Sequence, residues 1–167
     1  MNDCYALRTG WSVSKTTVAA LLLPLLAVTT GPVHAADFYW DQDGSATGNT
    51  VDGVNLGGAG TWDTSSSLWW PVPPGPMTTW GNTNADRAIF TNAFPTLGIP
   101  TLNTVTLNSG IIANQIRFLH SGYTLTGGDL TLDGTVPTLF AGMGEYAVID
   151  SLIAGTSGLT MTGGGAI

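Results

Sequence analysis

Cysteine is nearly missing from this 167-residue chain: the single one, Cys4, lies close to the start, so no disulfide framework and no thiol chemistry can be built from the rest. Charge is equally scarce, at 9% of residues. After residue 35 the basic side chains are Arg87 and Arg117 and the one histidine is His120, against an acidic balance. A surface that tracks nucleic-acid phosphates is therefore excluded. No G-x-S-x-G, no phosphate loop and no Cys/His cluster is present, which closes the usual routes to nucleophilic, nucleotide and zinc chemistry. Low charge does not mean disorder here. Hydrophobic residues make up 43%, and Gly and Thr are abundant, which suits short strands joined by tight turns.

The first 35 residues have the marks of an export leader. Arg8 and Lys15 precede the apolar run from Val18 to Val28, and Val33-His34-Ala35 offers small residues where a signal peptidase reads, so cleavage is expected between Ala35 and Ala36. The run is too short for a membrane span and contains Pro24. From 36 to 90 the chain is rich in aromatics, with Phe38-Tyr39-Trp40, Trp62, Trp69-Trp70 and Trp80 set among Gly- and Pro-rich loops. Pro71 to Pro76 reads as a surface loop, because each proline removes a ladder donor. Two roles compete for the tryptophans. They form either a packed plug over one end of the fold or a sugar-stacking platform on Trp62, Trp69, Trp70 and Trp80; burial is the commoner fate of so large a side chain.

From 91 to 167 the pattern changes to strands of three or four residues separated by glycine. Ile116-Arg-Phe118, Tyr123-Thr-Leu125 and Leu130-Thr-Leu132 each place two apolar residues on one face and a polar one on the other. A seven-residue helical heptad is ruled out by the Gly127-Gly128 pair and the i, i+2 apolar spacing. The alternative is one turn of a β-solenoid, in which each strand pairs with the strands above and below. Ile116, Phe118, Tyr123, Leu125, Leu130 and Leu132 should then face inward, with Thr124 and Thr131 toward water. Thr104 to Gly110 repeats the pattern upstream, and Tyr146 to Gly163 repeats it downstream. Nothing near Ile167 resembles a cap, so further repeats are expected beyond it.

Trp40-Asp-Gln-Asp-Gly44, Gly60-Thr-Trp-Asp63, Thr79-Trp-Gly-Asn82, Ala88-Ile-Phe90, Gly122-Tyr-Thr-Leu-Thr-Gly-Gly128 and Leu152-Ile-Ala-Gly-Thr-Ser-Gly-Leu-Thr160, in this order, resemble the opening region of proteins carrying the autotransporter-associated β-strand repeat. The resemblance spans nearly all of the chain after the leader. It implies an all-β fold, a right-handed parallel β-helix with an aromatic-rich N-terminal cap, exported through the periplasm to the cell surface or beyond. Met161 stands where the family usually carries Lys, and no barrel-forming segment follows.

Residues with chemical potential are few. Asp41-Gln-Asp43-Gly44 has two carboxylates, but its glycine falls at position four of the loop and Asp52 at position twelve, unlike an EF-hand; an Asp-stabilised turn is the simpler account. Asp129 with Asp133, and Glu145 with Asp150, are the carboxylate pairs that glycoside cleavage would need. Asp129 and Asp133 flank one short strand at turn positions, with no second basic residue nearby to stabilise a developing anion. His120 lies in a turn without an evident metal partner. The sequence thus points to a non-catalytic structural segment, with no cofactor, whose partners are downstream repeats and the export machinery; an adhesive module contacting surface glycans is the alternative, and a polysaccharide-degrading enzyme a distant third.

Overall fold

The computed structural model describes residues 36–91 and 102–167, so the expected leader and the expected cleavage position at Ala35 lie outside the described residues. Everything regular among those residues is strand. There are thirteen: β1 (Asp37–Trp40), β2 (Gly60–Trp62), β3 (Trp69–Val72), β4 (Arg87–Phe90), β5 (Asn103–Leu107), β6 (Ile111–Ala113), β7 (Gln115–Phe118), β8 (Tyr123–Gly127), β9 (Leu130–Leu132), β10 (Thr138–Ala141), β11 (Ala147–Asp150), β12 (Ile153–Ala154) and β13 (Thr160–Gly163).

They form three sheets, ordered β13-β10-β7-β4-β1-β3, β11-β8-β5-β2 and β12-β9-β6. From β4 onward the chain visits the sheets in rotation, so β7, β8 and β9 pair in parallel with β10, β11 and β12. Gln115 pairs with Thr138 and Thr138 with Thr160, 23 and 22 residues on. Parallel strands need a long return path, and the other two sheets supply it.

Alternation within each strand sets what is inside. Ile116, Phe118, Tyr123, Leu125, Leu130 and Leu132 are all at most 1% exposed, as their period predicts, while Thr124 and Thr131 between them are half-buried on the outward side. The corners are made where side chains cannot fit. Gly127 has φ of +99°, and a Cβ there would lie 2.8 Å from the Leu107 carbonyl of the preceding coil.

The aromatic region is continuous with these coils. β1 and β4 lie in the sheet that contains β7, and β2 pairs with β5, so the compositional change near residue 90 coincides with no break in the sheets. Trp40, Trp62, Trp69 and Trp80 pack with Phe90, which stacks on Phe118 at 5.4 Å and meets Tyr123 at 5.1 Å. The proline run is irregular at 73–76, as read, but departs from that reading at its first two residues. Pro71 and Val72 belong to β3, which is tolerated because β3 is the outermost strand of its sheet, paired antiparallel with β1 on one side and bridged on the other only at Trp69, to Thr78.

Candidate functional site

The two ends of the stack differ in how their backbone groups are satisfied. At the first end, β3 covers β1, and side chains cover β6. The Trp80 indole N–H donates to the Ile112 carbonyl (2.9 Å), Asn82 Oδ1 accepts from the Ile112 N–H (2.7 Å), and the Asn82 amide donates to the Gly110 carbonyl (3.1 Å). Two side chains thus do along β6 what a neighbouring strand would do, which removes an edge open to pairing. Trp40 likewise donates to the Gly58 carbonyl at 2.8 Å.

The four tryptophans proposed for sugar stacking are all buried. Trp62 and Trp69 are fully buried, Trp80 is 2% exposed and Trp70 4%. Trp62 contacts Trp69 and Trp80 with centroids 4.9 and 5.0 Å apart, and Trp69 lies 4.6 Å from Trp80. Trp70 belongs to a separate cluster on the outer side of the same sheet, with Tyr39, Leu56 and Ile89. Stacking on a sugar ring needs a free indole face, and none of the four has one in this arrangement.

At the other end the same inward columns run out of neighbours. Along one column exposure is 0% at Ile116, 2% at Leu139 and 60% at Met161; along another it is 1% at Ile111, 0% at Leu130 and 37% at Ile153. Val148, Leu152 and Leu159 are exposed there as well. Every residue of β13 is exposed.

The titratable residues are dispersed. Asp129 and Asp133 flank β9, where Asp133 accepts from Ser157 Oγ (2.7 Å) and the Gly134 N–H (2.9 Å); these bonds, the serine first, hold its carboxyl below the usual range. Glu145 accepts from Ser121 Oγ at 2.5 Å, while Asp150 ends β11 and is exposed. His120 Nδ1 lies 2.7 Å from Thr91 Oγ1, and the Tyr123 hydroxyl donates to the Thr91 carbonyl at 2.7 Å. Burial pushes the Tyr123 phenol well up. Asp41 is the most deeply buried carboxylate among the described residues. Its Oδ2 accepts from the Asn49 amide (2.7 Å) and its Oδ1 from the Asp43 N–H (3.3 Å), yet desolvation, aided by the Asp43 charge, outweighs these bonds and raises its pKa to about 6. Among the described residues no three His, Cys, Asp or Glu side chains converge as a metal site would require.

Aligned with known proteins, the chain is 37% identical over 159 residues to the Adhesin BmaC autotransporter of Brucella suis biovar 1 (strain 1330). It is similar to a segment of an autotransporter adhesin. The resemblance to autotransporter proteins read from the sequence is thereby upheld. The alignment covers 93% of this chain and 4% of that adhesin, so the chain spans a small fraction of the length of its relative. No family model matches the chain. No solved structure matches it either.

Proposed function

We propose that this chain is a non-catalytic structural segment of an exported, surface-associated, adhesin-like passenger, built as a right-handed parallel β-helix. The observation that carries this is the contrast between its ends. One end is closed by β3, Trp80 and Asn82, and the other presents Met161 and Ile153 in columns that are buried one coil earlier. Such an edge fits the next coil of the same chain, because a parallel neighbour would pair the free strand groups of β11, β12 and β13 and cover their apolar faces together. The chain then closes the stack at one end and templates it at the other, supporting folding and export of the coils that follow. Resemblance to an autotransporter adhesin supports residence at the cell surface or outside the cell, reached through the periplasm by the export machinery after cleavage between Ala35 and Ala36.

The test is extension. Added downstream coils should raise the melting temperature and suppress concentration-dependent association, since each stacked coil contributes an interface. A chain that stays monomeric at high concentration, and whose melting extension leaves unchanged, would defeat the templating role. N-terminal sequencing of the secreted species decides the export half: retention of Met1 on a cytoplasmic species would refute it. A sugar-stacking role for Trp62, Trp69, Trp70 and Trp80 draws no support from their burial, and blue-shifted emission that resists quenching in the presence of sugars is the expected result.

A further inference from the structure

The corner between β6 and β7 is a single residue, Asn114, whereas the corners after β9 and β12 take five residues each, 133–137 and 155–159. The short corner is therefore recessed between the turn at Thr83–Asp86 and the wide 133–137 corner. The step leaves an open groove of about 590 Å³, lined among others by Asn84, Gln115, Asp133, Thr135, Val136 and Ser157. That volume lies within the range of about 300 to 1,000 Å³ common for small-ligand sites. Its floor is held by the fold: buried Asn114 donates its amide to the Asp133 carbonyl (3.1 Å) and accepts at its own carbonyl from the Thr138 N–H (3.1 Å).

The lining has a definite chemical character. The side-chain amides of Asn84 and Gln115 make no hydrogen bond among the described residues, so each offers a donor and an acceptor. Asp133 uses Oδ1 for Ser157 and Gly134, which leaves Oδ2 as a charged acceptor. Val136, 52% exposed, supplies an apolar contact. No cationic and no aromatic side chain lines the groove. An anion would meet the Asp133 carboxylate without a counter-charge, and a flat aromatic ligand would find no stacking partner. A ligand of neutral hydroxyls, each able to donate and accept, matches the amides and the carboxylate together.

We propose that this corner groove binds a neutral glycan segment. The site is distinct from the tryptophans and goes beyond the structural role; its failure would leave that role intact, because the two are read by different measurements. The test uses the full chain on an array of immobilised neutral oligosaccharides, with sialylated and sulfated ones alongside, followed by calorimetric titration with the best free neutral oligosaccharide. Binding to neutral glycans in preference to anionic ones is expected. Asn84→Ala and Gln115→Ala should each weaken it about tenfold, the scale of one lost hydrogen bond, with unchanged melting. Asn84→Arg, which projects a long side chain into the groove from an exposed position, should abolish it and serves if an alanine variant melts abnormally. The proposal is overturned by an absence of neutral-glycan binding, by a preference for anionic glycans, or by affinity that survives both Asn84→Arg and the double alanine variant.

Discussion

Leu139 and Met161 are register partners on adjacent strands of one sheet, both directed toward the interior, yet one is 2% exposed and the other 60%. Their local sequences do not explain this. Thr138-Leu139 and Thr160-Met161 present the same alternation of polar and apolar residues. What differs is the number of stacked neighbours: β10 has β7 on one side and β13 on the other, while β13 has only β10. Burial in this architecture belongs to the stack, and a residue becomes core when a coil is laid over it. The first end reaches the same result by other means, using aromatic bulk and side-chain hydrogen bonds instead of another coil.

The largest expected effect tests that contrast directly. Leu139→Asp should prevent cooperative folding, because an unpaired buried charge costs several kcal/mol, whereas Met161→Asp should leave the melting temperature of this chain, without added coils, nearly unchanged. Equal effects of the two substitutions in thermal denaturation would break the comparison. Next in size is the closed end. Trp80→Phe keeps an aromatic ring but removes the N–H donated to Ile112 and half of a buried indole, and Asn82→Ala removes the bonds to Gly110 and Ile112; each should destabilise by at least about 1 to 3 kcal/mol, the cost of unsatisfied backbone groups, with lost packing added at Trp80. Hydrogen exchange at the Ile112 amide should quicken in Asn82→Ala and stay slow in Trp80→Phe, where Asn82 still holds that N–H.

A smaller effect attaches to Asp41. Its folded pKa of about 6 lies above its ordinary value, so its contribution to stability is fully present below about 4 and is lost as pH rises through about 6. The wild type should therefore gain stability on acidification from pH 7 to pH 5, as far as this group decides it, and Asp41→Asn should flatten that dependence in melts recorded across the range. A steeper profile in the variant would contradict the account. The smallest effect is expected at Thr124. Its outward, half-buried side chain makes Thr124→Ser a change of about 0.5 kcal/mol or less by denaturant titration.

Much of the interior was legible because a strand's period is short and local. Ile116-Arg-Phe118 and Leu130-Thr-Leu132 announce their faces within three residues, and burial of the tryptophans follows from their size. The edge capping was not legible. Trp80 and Asn82 meet Ile112 across 32 and 30 residues, and nothing in Thr79-Trp-Gly-Asn82 indicates which strand it will cover. The division at residue 90 drawn from composition does not appear in the pairing, since β1, β2 and β4 serve as the first rungs of sheets that β5 and β7 continue. The corner groove was hidden for a related reason: it arises from a difference in corner length between coils, and a single coil contains no such difference.

The parallel register has a mechanical consequence. Hydrogen bonds between β7 and β10, and between β10 and β13, join one coil to the next, so tension that draws the chain out from the β13 side loads them a coil at a time. The chain should peel in steps instead of yielding all at once. Each step would free the length of one coil, 23 residues between Gln115 and Thr138, or roughly 75 to 80 Å of extended chain. A chain built this way would resist a steady pull with repeated small yields, and the aromatic end, tied by Trp80, Asn82 and β3, would be the last part to let go.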